Sequence, residues 1–212
     1  MTFAGLDPAC IRANLDRVHE RIAAAGGDPA GIEICAAVKY VAAEELPALA
    51  AGGIEIVGEN RAQELLAKQA AHRDLFAWDF IGALQSRKVK DVVPNVRLIH
   101  SLASDSALAK LEANPGAEVL VQVNVAEEEG KAGIAPAELA DFIARCPAPV
   151  TGLMTMPPLA DRPEESRPWF AKLAELAGEH GLERLSMGTT QDFEAAVAEG
   201  ATIVRLGTVL YA

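Results

Sequence analysis

The chain has 212 residues, half of them hydrophobic, and its 19 Lys and Arg residues against 30 Asp and Glu residues give a formal net charge of -11. This length supports one substantial hydrophobic core, so we expect a single domain over 1–212. An acidic chain repels nucleic acid and anionic lipid, so we predict neither nucleic-acid binding nor membrane binding. A small anionic ligand stays compatible with this charge if its site is locally positive.

The cysteines predict a reducing compartment. Cys10, Cys35 and Cys146 are far apart and, like the four histidines, have no metal-ligand spacing, so we predict no metal site. The first residues lack a basic segment followed by an apolar segment, and no apolar run is long enough to span a bilayer. We therefore expect a cytoplasmic protein.

Short β-branched runs alternate with Ala-, Leu- and Glu-rich runs that have helical spacing, after an amphipathic helix at about 8–25. Asn60, Ser104 and Thr190 stand where N-caps belong. The predicted strands are 32–39, 53–59, 78–82, 96–102, 118–125, 149–156, 184–188 and 202–208. The predicted later helices are 42–52, 60–71, 84–93, 104–113, 136–146, 164–181 and 190–200.

Eight strands alternating with helices indicate a parallel α/β fold, and eight is the number that closes a (β/α)8 TIM barrel. The alternative is a doubly wound open sheet, which usually carries a glycine-rich loop after its first strand. Here the first strand is followed by "YVAAEEL", which contains no glycine. We therefore favour the barrel, whose functional face is the carboxyl end of its strands.

The loops after the last two strands, "SMGTT" and "RLGT", predict a phosphate site. Barrels often bind phosphate there, and the helix predicted after Thr189 and Thr190 would offer free N–H groups. Gly188 and Gly207 would allow an oxyanion to approach the backbone closely. A simple N-cap at Thr190 and an ordinary turn at Gly207 are the structural alternatives.

Lys39 ends an otherwise apolar strand, and a desolvated lysine amine can form a Schiff base with an aldehyde. A Schiff-base lysine and a phosphate site in one barrel mouth suggest pyridoxal 5'-phosphate (PLP), which carries an aldehyde and a phosphate. Arg205 in the last strand is a candidate partner for its pyridine nitrogen. Lys39 reaching solvent and Arg205 in a surface ion pair are the structural alternatives. His100, at a strand end, lines the mouth or is a structural core residue.

At these residues the chain resembles the pyridoxal phosphate homeostasis protein family, whose barrel is like the N-terminal domain of alanine racemase. The resemblance covers almost the whole chain, and "GENRAQE" from Gly58 and "FIGALQSRK" from Phe80 are among its most specific segments. The other matching segments are "AAVKY", "IHSLAS", "VLVQVNVAEEEGKAGI", "GLMTMPP" and "LSMGTTQDFEAAVAEGATIVRLGT".

The resemblance implies a non-catalytic protein that carries PLP as a Schiff base on Lys39 and contributes to intracellular PLP homeostasis, with PLP-dependent apo-enzymes as candidate recipients. It implies that Arg205 faces the pyridine nitrogen and that Asn60 lies near the ring hydroxyl. The phosphate ligands that it implies are Ser186, Thr190, Gly207 and Thr208.

The chain departs from the family pattern at Val38 and Tyr40 beside the lysine, at Thr189 and Thr190 in the usual "SMGMS", and at Asp79, where the family has histidine. Two other functions stay open. A weakly active amino-acid racemase would need a second, β-rich domain, which we do not expect after strand eight, and without it we expect a monomer. A Schiff-base aldolase would usually place its lysine on a later strand.

Overall fold

The computed structural model describes residues 3–212, in which eight parallel strands close into a barrel in sequence order. Closure comes from the pairing of β1 with β8, where Cys35 lies opposite Arg205. The TIM-barrel prediction is confirmed and the open sheet is excluded. The strands are β1 (Glu33–Ala37), β2 (Ile56–Glu59), β3 (Ala77–Phe80), β4 (Leu98–Leu102), β5 (Glu118–Gln122), β6 (Val150–Met154), β7 (Arg184–Thr189) and β8 (Ile203–Leu206).

Helices surround the barrel and bury their apolar faces against it. The amino-terminal helix α1 begins at Pro8, where proline suits the first turn, and the Asp7 side chain caps it by accepting from the N–H of Ala9 at 3.0 Å. The helices are α1 (Pro8–Ala24), α2 (Leu46–Ala51), α3 (Ala62–His72), α4 (Val89–Val92), α5 (Asp105–Leu111), α6 (Leu139–Ala144), α7 (Arg167–Glu179), α8 (Phe193–Ala198) and α9 (Thr208–Tyr211).

The predicted N-caps give mixed results. Ser104 caps α5, because its hydroxyl accepts from the N–H of Ala107 at 3.3 Å. The predictions for Asn60 and Thr190 are wrong: α3 begins after Arg61 and α8 begins after Asp192, and neither residue's side chain caps its helix. Asn60 and Thr190 are thereby free for other contacts.

The hydrophobic core has two parts. The larger part lies between the barrel and the helices, and a smaller cluster fills the barrel interior with Cys35, Leu98, Leu120, Met154 and Ile203. Layers of side chains from several strands fill such barrels, so the interior is packed rather than a channel. No helix of residues 3–212 is long and apolar enough to cross a membrane.

Ion pairs close the amino-terminal end of the barrel. Arg97 donates to Glu33 on β1 at 2.5 Å, and Arg184 on β7 donates to the other oxygen of Glu33 at 2.8 Å. Arg184 also reaches Glu118 on β5 at 3.1 Å. The opposite end of the barrel, where the strands have their carboxyl ends, contains the cavity described below.

Candidate functional site

A cavity of about 540 Å³ opens at the carboxyl ends of the strands. Six of the eight predicted site residues line it: Lys39, Asn60, Thr190, Arg205, Gly207 and Thr208. These residues come from the ends of β1, β2, β7 and β8, which the closed barrel brings together although the chain separates them widely. The other two predicted residues, Ser186 and Gly188, lie elsewhere.

Lys39 lies at the cavity mouth. Strand β1 ends at Ala37, and Lys39 follows in a turn with its side chain exposed. Its Nζ lies 4.9 Å from the centroid of the Tyr40 ring. The expectation of a desolvated lysine inside the strand end is therefore wrong, because the strand stops before Lys39 and the turn carries it to the surface.

A buried ion pair fixes the backbone beside Lys39. The Nζ of Lys68 on α3 lies 2.5 Å from Glu59 Oε2 and donates to the carbonyl of Val38 at 2.6 Å. The other oxygen of Glu59 accepts from the N–H of Asn60 at 2.7 Å. We call Glu59 and Lys68 the Lys68 clamp, since it ties together the two loops that carry Lys39 and Asn60.

Sequence reasoning missed the Lys68 clamp, although a signal for it exists. The inward face of α3 runs through Ala62, Leu65 and Lys68, so a lysine occupies a position on the apolar stripe. A buried lysine requires a paired acceptor. Glu59, at the end of the buried strand β2, is such an acceptor.

Asn60 forms part of the cavity wall, and its Oδ1 is buried without a hydrogen-bond partner within residues 3–212. Gly82 packs directly behind the Asn60 backbone. A Cβ at Gly82 would lie 2.0 Å from the Asn60 carbonyl oxygen, so only glycine permits this approach. An unpaired acceptor at a cavity wall is suited to a ligand hydroxyl group.

The residues predicted to bind phosphate are arranged differently from the prediction. The Oγ1 of Thr190 accepts from the N–H of Gly207 at 3.2 Å, which joins the loops after β7 and β8. Thr208 is the first residue of α9, where the opening N–H groups have no partner inside the helix. The expectation that Thr190 lies at a helix start is wrong, because α8 begins at Phe193.

Gly188 has a packing role. Its φ of +89° favours glycine, and a Cβ there would lie 2.7 Å from Ala196 Cβ and 2.8 Å from Phe193 Cα. The position therefore lets α8 pack against β7. Gly188 is absent from the described lining of the cavity.

Arg205 stands at the cavity floor and is only 6% exposed. Its Nη1 donates to Ser186 Oγ at 2.6 Å, and its Nη2 donates to the Thr155 carbonyl at 2.9 Å. Burial lowers the pKa of Arg205 to about 10, which still leaves the guanidinium charged at neutral pH. The side chain therefore places a fixed positive charge on the cavity side of the barrel.

Ser186 lies below the cavity, fully buried inside the barrel. Its hydroxyl lies 2.8 Å from Nδ1 of His100, and Nε2 of His100 lies 3.1 Å from Oδ2 of Asp79. His100 is therefore a core residue and does not line the mouth. Ser186 therefore lies away from the loops that follow β7 and β8, where Thr190 and Gly207 line the cavity.

The charged groups below Arg205 stabilise one another. Burial acts to raise the pKa of Asp79, but hydrogen bonds from His100 and Arg97 outweigh it and leave this pKa below its usual value. Burial lowers the pKa of His100, and its hydrogen bond to Asp79 only partly offsets that effect. His100 is thus held neutral beside an ionised Asp79. Sequence reasoning noted Asp79 only as a departure and missed this pairing.

Comparison with known proteins agrees with this geometry. Residues 6–212 match the family described as "Alanine racemase, N-terminal domain", which is the class of barrel that the fold and cavity define. A protein of Aquifex aeolicus named pyridoxal phosphate homeostasis protein is 40% identical, with 96% of this chain and 97% of that protein covered. This chain therefore belongs to the pyridoxal phosphate homeostasis protein family.

Solved structures are similar over nearly the whole chain. PipY of Synechococcus elongatus, solved with PLP bound, superposes with a TM-score of 0.76 at 32% identity, covering 92% of this chain and 100% of PipY. An unknown protein from Bifidobacterium adolescentis has a TM-score of 0.86 at 29% identity, covering 96% of this chain and 95% of that protein. Alanine racemase from Corynebacterium glutamicum, at 19% identity and a TM-score of 0.70, shares the fold; this chain covers 63% of it.

Proposed function

We propose that this chain is a PLP carrier that binds the cofactor in the described cavity, with Lys39 as its covalent attachment point. One observation carries this proposal: the cavity combines an accessible lysine amine, a buried arginine and a loop pair rich in hydroxyl and N–H donors. These three features match the aldehyde, the pyridine nitrogen and the phosphate of PLP. Curated relatives named for pyridoxal phosphate homeostasis, and PipY with PLP bound, support the same ligand.

In this proposal each residue of the cavity wall is assigned to one part of PLP. Thr190, Gly207 and Thr208 would hold the phosphate, and the unpaired Oδ1 of Asn60 would accept from the ring hydroxyl. Arg205 would donate to the pyridine nitrogen. PLP, when bound, supplies an aldehyde that condenses with an amine and a ring that withdraws electrons. Because an arginine donates protons and cannot accept them, it favours an unprotonated ring nitrogen, which is a weak electron sink.

We infer further that the protein carries PLP without turning over a substrate. Among the described residues that line the cavity there is no histidine, carboxylate or thiol. Racemisation needs acid and base groups on both faces of a substrate. Tyr211 is an unsuitable base, because burial raises its pKa and its hydroxyl donates to the carbonyl of Ala37 at 3.3 Å. Tyr40 lines the cavity, but its ring centroid lies 4.9 Å from Lys39 Nζ, so it stands beside the lysine and not opposite it. These observations favour a carrier over the weak racemase.

The test is reduction and mapping of the adduct. Purified protein is mixed with PLP, freed of excess, scanned for visible absorption, reduced with borohydride, and digested for mass analysis. We expect a visible band and a reduced adduct on Lys39 that disappears in Lys39→Met. Lys172→Met is the control, because Lys172 is an exposed lysine on α7 away from the cavity. An adduct on another lysine, or none, would contradict the proposal.

The non-catalytic part of the proposal has its own measurement. PLP-loaded protein is incubated with L-alanine or D-alanine, and the other enantiomer is measured over hours by chiral chromatography. We expect no turnover above that of free PLP with the same amino acid. Turnover at enzyme-like rates would establish the racemase alternative while leaving PLP binding intact.

A further inference from the structure

A hydrogen-bonded chain of buried side chains runs from the cavity floor through the barrel interior. It passes from β8 to β7, then to β4 and β3, and each contact is 3.1 Å or shorter. Its members, which we call the Arg205 network, are Arg205, Ser186, His100 and Asp79. Only Arg205 among them lines the cavity in the described chain.

With a neutral His100, the network has one arrangement of protons. Arg205 can only donate, so the Ser186 oxygen accepts from it. Burial lowers the pKa of His100 and keeps its ring neutral, and the single ring proton lies on Nε2, where it donates to the carboxylate of Asp79. Nδ1 is then an acceptor, and the Ser186 hydroxyl donates to it at 2.8 Å. The Ser186 hydroxyl and both ring nitrogens of His100 therefore have partners.

The far end of the network is anchored. Both oxygens of Asp79 accept from Arg97, at 3.0 and 2.9 Å, and Arg97 also binds Glu33. Asp79 is consequently held between a neutral ring and a bidentate guanidinium. Such a fully satisfied polar set in a low-dielectric interior is rigid, since breaking any bond leaves a buried group unpaired.

We propose that the Arg205 network is a positioning device that fixes the guanidinium of Arg205 against the ring nitrogen of PLP. This inference rests on the proposed function, and Asp79, His100 and Ser186 act only through Arg205. Within the described chain, the recorded acceptors of Arg205 are Ser186, Thr155 and Met156, and they engage Nη1 and Nη2 only. The Nε proton and one Nη1 proton are thus left for a ligand.

Metal binding is the rival interpretation of the same residues. Cys35, Asp79 and His100 offer ligand atoms that lie within 4.8 Å of one another. Two arginines adjoin this group, however, and the ligand atoms of Asp79 and His100 are already hydrogen-bonded. Burial also raises the pKa of Cys35, which disfavours the thiolate that a metal would need. The geometry favours the hydrogen-bonded network.

The experiment uses PLP labelled with ¹⁵N in the ring, bound to the full chain, with the ring-nitrogen resonance and the rate of PLP loss as readouts. Ser186→Ala removes one link of the network. Ser166→Ala is its control, because it removes a similarly buried serine hydroxyl just before α7, away from the network and outside the cavity lining. We expect Ser186→Ala to shift the resonance and to speed PLP loss about tenfold, and Ser166→Ala to do neither.

A second pair of variants acts further from the cavity. Asp79→Asn removes the charge that orients His100, and Glu33→Gln removes the other carboxylate partner of Arg97 without touching the network. We expect the resonance to shift in Asp79→Asn and to stay in place in Glu33→Gln. This pair also tests whether the network positions Arg205 if Ser186→Ala fails to fold.

Arg205→Ala separates the two proposals. If it shifts the resonance while Ser186→Ala and Asp79→Asn behave as their controls do, the network is merely structural and the inference is overturned. If Arg205→Ala leaves the resonance unchanged, the proposed contact between Arg205 and the ring fails, and the network proposal fails with it. Stoichiometric zinc in the purified protein, lost in Cys35→Ser, would also overturn the inference in favour of a metal site.

Discussion

The floor of the cavity, at Arg205, and its mouth, at Lys39, are built in different ways. Arg205 is 6% exposed and held by three acceptors and by a chain of bonds that reaches the opposite end of the barrel. The Lys39 side chain is exposed, although the backbone on either side of it is held: the carbonyl of Val38 accepts from Lys68, and the carbonyl of Tyr40 accepts from the N–H of Phe3 at 2.8 Å. A rigid floor selects a ligand with little loss of side-chain conformational entropy on binding, whereas an accessible amine lets a ligand arrive and leave. This division suits a carrier that must bind PLP selectively and still release it.

The largest effect is expected when the Lys68 clamp is broken. Lys68→Met leaves the charge of Glu59 buried without its cation, so we expect the free energy of unfolding to fall by about 3–5 kcal/mol. Urea denaturation followed by circular dichroism measures this change. Lys172→Met is the matched control: its partner Glu175 lies 3.4 Å away on the surface, and such exposed pairs add little.

The double variant Glu59→Gln with Lys68→Met sharpens this prediction. Removing both charges should recover most of the lost stability, because the penalty comes from an unpaired buried charge. The double variant should still label more slowly with PLP than the wild type, since the carbonyl of Val38 has lost its donor and the Lys39 turn is loosened. Wild-type labelling would show that the clamp serves the fold alone.

The second prediction concerns Arg205 at the cavity floor. Arg205→Ala removes the charged donor that we assign to the pyridine nitrogen, while Lys39 keeps its amine. We expect PLP to be retained roughly 10- to 100-fold less well, as for a lost hydrogen bond to a charged group, with the borohydride adduct on Lys39 still forming. Equilibrium dialysis before reduction measures retention. Unchanged retention would remove Arg205 from the ligand contacts.

The features that sequence predicted well are those that follow from periodicity. The eight strands, the helices between them and the choice of a barrel come from alternating apolar patterns, and the last two strand ends identified Thr190, Gly207 and Thr208 at the cavity. Lys39 and Arg205 also reach the cavity as predicted. In a parallel barrel, strand order alone decides which residues meet at the carboxyl end.

The features that sequence missed depend on the height of a residue within the barrel and on partners distant in the chain. Ser186 stands only a few residues before Thr190, yet it faces the interior and bonds to His100 instead of facing a phosphate. Whether the Ser186 side chain points into the barrel depends on the register of β7. A shift of one residue, which a single sequence does not exclude, would turn it to the other face. Asp79 and Lys68 acquire meaning only from His100 and Glu59, which lie on other elements.

The third prediction uses the titration of His100 in the Arg205 network. Its pKa in the folded protein is lower than the ordinary 6.5, so the unfolded chain binds the proton more readily. The stability from neutral His100 is therefore complete above about pH 6.5 and is lost as pH falls towards the folded pKa. We expect this group to contribute a slope of at most about 1.4 kcal/mol per pH unit to the unfolding free energy.

Urea unfolding at a series of pH values between about 5 and 7 measures that slope, and His100→Asn provides the comparison. The variant should be less stable at neutral pH and should have a smaller slope, because its residue 100 does not titrate. Equal slopes in the two proteins would mean that His100 accepts a proton in the folded state. Asp79 should add a further loss of stability below its ordinary value of 3.8, because its pKa is also lowered.

The smallest effect is expected at Asn60, which follows β2 and lies on the other side of β1 from Arg205. Asn60→Leu replaces an amide whose Oδ1 is buried and unpaired by an apolar group of similar shape. The PLP-free protein should become more stable by about 1 kcal/mol, because the desolvation cost of that oxygen disappears. PLP retention should fall a few-fold, since the ring hydroxyl loses its acceptor.

The opposite signs of these two effects distinguish a binding residue from a defect of packing. Thr151→Val is the control, because Thr151 Oγ1 is likewise buried without a partner in the described chain, but the residue lies on β6 away from the cavity. It should raise stability and leave PLP retention unchanged. If Asn60→Leu gave that same pair of results, its unpaired oxygen would have no role in binding PLP, and selection of the ligand would rest on Arg205 and the phosphate loops.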